Sequence, residues 1–227
     1  MKFFSYDSRF SQILLRIAQC CYLNLLWLIC SLPVFTAGAA TTALYHVTLK
    51  MVKDEDGALT GLFFRAFREN FRQATVLWLL LLAVGAALAG DGYILYHLFR
   101  SATGAEAVMW TLLFALVIAF SVAYAVVLCY VFPLTASVVN TNRAMLKNAF
   151  LIGSHYLFCT ILVLAIHFAM FFIVVRLFTP MLVFGEGLCA FLSSFLLSRV
   201  IAACSYDPRA KAAGDGEAGP GAGEAPR

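Results

Sequence analysis

Charge is what this sequence has least of. Only 12% of its 227 residues are Asp, Glu, Lys or Arg, and residues 17–49 and 107–142 contain none. A soluble globular chain carries about a quarter of its residues as charges. With 63% hydrophobic residues and a mean hydropathy of +0.89, the chain has too little polar surface to face water, which excludes an ordinary soluble domain. The net charge is only +4, and the cations are spread between apolar runs. That is not the dense basic surface a nucleic acid requires, so no nucleic-acid partner is expected. Metal-ligand spacings are missing too. There is no CxxC pair, and Cys20, Cys21, Cys30, Cys129, Cys159, Cys189 and Cys204 sit mostly inside apolar runs, where they read as small buried hydrophobes rather than a disulfide framework. No HExxH, GxSxG, P-loop or GxGxxG occurs, no two histidines stand four apart, and no helix face pairs two carboxylates. An enzyme is therefore not expected, nor a cofactor or metal.

What the sequence does have is a series of long apolar segments. Each is close to the roughly 20 residues needed to cross a hydrocarbon core of about 30 Å. They fall at residues 17–35, 75–95, 108–132 and 156–177, with a fifth opened by Pro180 and ending near residue 203. The expected fold is all-α: a multispan helical membrane protein of about five transmembrane helices with two cytoplasmic amphipathic elbows. Residues 1–204 form the transmembrane domain in this reading, and residues 205–227, rich in Gly, Ala and Glu, a disordered cytoplasmic tail. The opening MKFFSYDSRFSQILLR is an interfacial amphipathic lead-in. The basic start, the apolar run after it and the small residues Ala37, Ala39 and Ala40 also resemble a cleavable signal peptide, but the segment that follows continues the helical pattern.

The first elbow follows Pro33, which is expected to bend the first span. Residues 36–52 then read as a helical continuation emerging from the bilayer, with a short second span as the rival. Residues 53–57, KDEDG, form a solvated turn, and Thr60 is placed to cap a new helix. In that helix Phe63, Phe67 and Phe71 stand four apart while Arg65, Arg68 and Arg72 fall on another side, the pattern of a helix lying in a membrane surface. Its basic face suits anionic headgroups or an acidic partner. Pro133 ends or kinks the third span, and Asn140, Asn142, Arg143, Lys147 and Asn148 make a second elbow. PVFTA at residue 33 is faintly echoed by PLTA at residue 133.

Orientation follows from the basic residues of the loops. Five spans with the N-terminus outside place Lys50, Lys53, Arg65, Arg68, Arg72, Arg143, Lys147, Arg199, Arg209, Lys211 and Arg227 inside, eleven of the sixteen Lys and Arg residues. If residues 33–52 form a sixth short span, the N-terminus moves inside and fourteen of sixteen are cytoplasmic. Both orders keep the C-terminus in the cytoplasm.

Ionisable groups inside or at the edge of a membrane are functional candidates because each is costly there. Asp91, His167, Arg176 and Glu186 meet that description. Asp91, Arg176 and Glu186 are expected near the outer face as interface groups or as an outward-facing polar site, and His167 at mid-span as bonded to a neighbouring helix. Asn24 and Trp27 share a face of the first span and, with Pro33 and Pro133, are read as interhelical packing positions.

Several stretches carry a family resemblance: Asn24-x-x-Trp27, Leu32-Pro33, TAGAATTALY at residues 36–45 and FRENFRQATVLW at residues 67–78, then YVFPL from residue 130 and LKNA from residue 146. Together they resemble the YesL-like family of bacterial membrane proteins, a domain of unknown function (DUF624). The resemblance runs from about residue 3 to about residue 203 and is most specific at the first elbow. It implies a bacterial plasma-membrane protein commonly encoded beside carbohydrate ABC importers, and it supplies no catalytic residues. The function expected is an accessory or regulatory component contacting sugar-importer subunits within the lipid bilayer; the alternative is a small secondary transporter or channel.

Overall fold

The computed structural model describes residues 9–55, 57–101, 103–177 and 182–205. Among them there is no strand, and five helices are long and apolar enough to cross a bilayer: Phe10–Ser31, Leu59–Ser101, Glu106–Ser137, Leu157–Arg176 and Gly185–Cys204. Their outward faces are apolar as well, with Leu112 67% and Phe168 71% exposed. Helices satisfy their own backbone groups and leave such side chains to hydrocarbon, so the chain is a multispan helical membrane protein.

α1 (Arg9–Ser31) stops where Pro33 disfavours a helical conformation for the residue before it, and a 3-10 turn (Val34–Thr36) reverses the chain. The Thr36 hydroxyl closes that turn, lying 2.6 Å from the Cys30 carbonyl and 2.7 Å from that of Pro33. It thereby serves the Cys30 carbonyl, one of those that the end of α1 leaves without a helical partner.

α2 (Ala37–Val52) runs back antiparallel to α1. Near the turn Trp27 Nε1 donates to Thr41 Oγ1 at 3.0 Å, and at the open end Arg16 pairs with Asp54 at 2.7 Å. This corrects the expectation that residues 36–52 continue the first span out of the bilayer. α2 is instead the centre of the molecule, with eleven of its 16 residues buried and contacts to α1, α3, α4 and α7. The reason is side-chain size. Gly38, Ala39, Ala40 and Ala43 let neighbouring helices approach closely, and a Cβ on Gly38 would overlap Trp78 and the Ala74 carbonyl. Its threonines are satisfied locally: Thr42 Oγ1 donates to the Gly38 carbonyl, and Thr48 Oγ1 shares a hydrogen bond with Ser194 Oγ.

α3 (Leu59–Ser101) is a single helix of 43 residues, about 64 Å long at 1.5 Å per residue. No proline interrupts it, so the surface helix and the following span, expected as two pieces, are one rod. Thr60, expected as a cap, lies inside the first turn and shares a 2.7 Å hydrogen bond with Tyr22 Oη. Phe63 and Ala66 are buried in the core beside α2, so protein rather than lipid covers that part of the apolar stripe.

α4 (Ala105–Ser137) returns antiparallel to α3, with Tyr124 Oη donating to the Leu81 carbonyl at 3.0 Å and the Trp78 and Phe132 rings 6.1 Å apart. Pro133 sits inside α4, which runs on to Ser137 rather than ending at the proline. Hydroxyl groups engage the backbone on either side, Thr135 Oγ1 bonding the Val131 carbonyl at 2.7 Å and Ser137 Oγ that of Pro133 at 2.8 Å.

α5 (Asn142–His155) is capped by Thr141, whose Oγ1 accepts from Ala144 N. A break at Tyr156 leads into α6 (Leu157–Phe172), which finishes in a π turn (Ile173–Leu177). α7 (Leu182–Ser205) packs on α6, α2 and α1. It is antiparallel to α1: Gly187 touches Cys20 and Asn24, while Phe195 shares a groove with Gln12 and Arg16. The start of α1 and the end of α7 therefore lie at the same end of this pair. The amphipathic lead-in through residue 8, Pro180 as the opening residue of the last span, and the tail after residue 205 lie outside the described residues.

Candidate functional site

Six helices converge on a cavity of about 310 Å³. α1 supplies Trp27, α2 supplies Ala37, Thr41 and Tyr45, and α3 supplies Trp78. α4 contributes Ala125, Leu128, Cys129 and Phe132, α6 Leu164 and His167, and α7 Glu186. A smaller chamber of about 150 Å³ adjoins it, and Trp27, His167 and Glu186 line both. The walls are aromatic and aliphatic, with few polar groups turned inward.

Those polar groups have defined partners. His167 Nδ1 lies 2.8 Å from the Val163 carbonyl; a carbonyl only accepts, so this nitrogen carries a hydrogen. In the neutral ring Nε2 is then the acceptor, and Tyr45 Oη faces it at 3.5 Å. Thr41 receives the Trp27 indole N–H, which leaves its own hydroxyl hydrogen free to donate. Glu186 is half-buried and accepts no hydrogen bond from a described residue. Its height is set by its neighbour: Gly187 N donates to Asn24 Oδ1 at 2.8 Å, and both residues are buried.

Of the candidates named from sequence, the structure brings His167 and Glu186 together and adds Trp27. Asp91 and Arg176 do not join them. Asp91 is exposed on α3, thirteen residues and so about 20 Å beyond the cavity residue Trp78, and Arg176 is exposed in the π turn. Asp91 and Arg176 thus stand apart from the cavity, while Glu186 and His167 line it together inside the bundle. Sequence reading missed Thr41, Tyr45, Trp78 and Cys129 as cavity residues; they lie in ordinary apolar or threonine-rich context, and only the α1–α2 reversal brings them together. Pro33 forms the turn and Pro133 lies one residue beyond Phe132 of the cavity wall. No group of three metal-ligating side chains occurs among the described residues.

A second feature lies on the first half of α3. Arg65, Arg68 and Arg72 are exposed on one face, opposite buried Phe63 and Ala66. Arg65 Nε bonds Glu69 Oε1 at 2.9 Å one turn away, and that bond holds the Glu69 carboxyl below its ordinary range and raises the guanidinium. Both groups are fully exposed, so the pair is worth little to the fold. Arg68 and Arg72 pair with no described residue.

The chain is similar to proteins without an assigned activity. The model of the family described as "Protein of unknown function, DUF624" matches residues 20–91, a stretch from the middle of α1 to Asp91 that holds Trp27, Thr41, Tyr45 and Trp78. The "Uncharacterized protein YteU" of Bacillus subtilis (strain 168) is 30% identical over 194 residues, which cover 84% of this chain and 79% of that protein. No solved structure matches the chain.

Proposed function

Since the chain belongs to the DUF624 family, which carries no assigned activity, its role has to be read from its own surfaces, and we propose an accessory or regulatory component of a carbohydrate ABC importer in the bacterial plasma membrane. The observation that carries this reading is the exposed row of Arg65, Arg68 and Arg72 on a helix whose other face is locked into the core. A rigid basic face at a membrane boundary suits an acidic surface of a cytoplasmic importer subunit. The importer itself is suggested by the family resemblance rather than by geometry, and the role is that of a binding protein, not a catalyst.

The same reading sets the orientation. α2 runs antiparallel to α1, and the first and last described residues share one end of the α1–α7 pair. Arg16, Lys50, Lys53 and Arg65 gather toward the end where Arg16 meets Asp54. The excess of Lys and Arg marks the cytoplasmic side, so both chain ends and the basic face of α3 are cytoplasmic, and α2 acts as a sixth, shorter pass. The test is affinity purification from native membranes of the full chain and of an Arg68→Glu, Arg72→Glu variant. Recovery of importer subunits with the first and not the second is expected; reproducible recovery of none with either removes the reading.

A second reading, a small secondary transporter or channel, is favoured by one observation: the chamber holding Glu186 and His167 lies among membrane-spanning helices. Purified protein in liposomes that moves no solute, or whose flux is unaffected by Glu186→Gln, would remove it.

A further inference from the structure

We propose that the chamber between α1, α2, α3, α4, α6 and α7 is a binding site for a small organic cation, an amine or quaternary ammonium with an apolar body. The inference is independent of the importer reading above.

Rings from four separate helices face one space: Trp27, Tyr45, Trp78 and Phe132. Such faces attract a cation through their quadrupoles, most strongly when water is excluded. The space holds a single carboxylate, Glu186, which accepts no hydrogen bond from a described residue. An ionised carboxylate among apolar walls requires a cation or a proton. Among the lining residues the only basic side chain is His167, and its Nδ1 hydrogen is committed to the Val163 carbonyl. The remaining titratable groups facing Glu186 are Tyr45 on α2, Cys129 on α4 and Cys189 on α7, none of them cationic. A ligand cation supplies a fixed positive charge beside Glu186 that no Lys or Arg among the lining residues provides.

The chemistry also separates this ligand from a sugar. A sugar presents hydroxyl groups around its whole ring and needs donors and acceptors on several sides. Here Thr41 and Glu186 are the groups with hydrogen-bonding capacity to spare, and most of the wall is apolar. The volume of about 310 Å³ falls at the small end of ligand cavities, which run from about 300 to 1,000 Å³. Asn24 holds the Gly187 amide and so fixes the carboxylate at the level of the rings.

The test uses the full chain purified in detergent with Trp110→Phe, which leaves Trp27 and Trp78 as the fluorophores. The probe is choline, and the control is its neutral carbon isostere, 3,3-dimethyl-1-butanol. Saturable quenching by choline is expected, at least about tenfold weaker for the neutral isostere, since shape and apolar area are shared and only charge differs. Glu186→Gln should weaken choline by a similar factor without changing the elution profile. Should that variant fail to fold, the comparison of choline with its isostere on the wild-type side chain still decides. Equal affinities for the two probes, no saturable response to choline, or a response to a methyl glycoside with choline silent would each overturn the proposal.

Discussion

Asn24 Oδ1 on α1 lies 2.8 Å from the Gly187 backbone nitrogen on α7, one residue from Glu186. A fully buried amide thus sets the register of the helix that carries the chamber's carboxylate. The contact is possible because residue 187 has no side chain; a Cβ there would overlap the Cys20 carbonyl and press on Asn24.

Asn24→Leu should lower stability by about 1 kcal/mol, the usual worth of an interhelical hydrogen bond in a bilayer. Gly187→Val should cost more, roughly 1–3 kcal/mol, because it overpacks the same point. Thermal unfolding in detergent measures both. The double variant should be less than additive, since the two changes disrupt one contact; strict additivity would mean the residues do not act together.

At the centre of the bundle, Gly38→Val should damage the fold as well. Its Cβ would meet the Trp78 side chain and the Ala74 carbonyl, and backbone cannot yield as a flexible side chain does. Loss of about 2 kcal/mol or more, or failure to elute as a monodisperse species, is the expected result. A melting temperature within a degree of wild type would show that α2 and α3 are not so close.

Asp54 combines a favourable ion pair with an unfavourable backbone. It pairs with Arg16 at 2.7 Å, but its own side chain is 85% exposed and its φ is 55°. An exposed pair is worth about 0–1 kcal/mol, and glycine adopts a left-handed conformation without the steric penalty. Asp54→Gly should therefore leave the melting temperature nearly unchanged, whereas Asp54→Val loses the pair and keeps the strain, and should lower it. If both fall equally, the ion pair dominates.

Topology reporters fused before Met1 and after Arg227 should give the same answer. A fluorescent protein at either end should glow and alkaline phosphatase at either end should be inactive, as expected when α2 completes an even number of passes. Opposite behaviour of the two ends would leave five crossings with α2 on one side of the membrane.

Much of this fold was legible in residue order. Apolar runs of sufficient length, the Pro33 break, the α4–α5 junction near Asn140 and the amphipathic phase of Phe63 and Arg65 all follow from local chemistry, and each matches an element boundary or face. Two features were not legible. Residues 36–52 are only moderately apolar, so hydropathy placed them at the membrane edge; their small side chains make them the buried centre, because close packing depends on size as much as on hydropathy. Glu186 and His167 stand 19 positions apart in sequence on antiparallel helices, and no periodicity links them to Trp27 or Tyr45.

Composition alone decided that this chain lives in lipid, since so few charges cannot solvate so much apolar surface, and the spacing of its runs decided that it crosses repeatedly as helices. Tertiary structure alone decided which way α2 runs and which side chains share a chamber. Helix formation is settled by neighbours within a few residues, whereas the meeting of Asn24 with Gly187, or of Tyr45 with His167, depends on how whole helices pack, and that is fixed by contacts between distant parts of the chain.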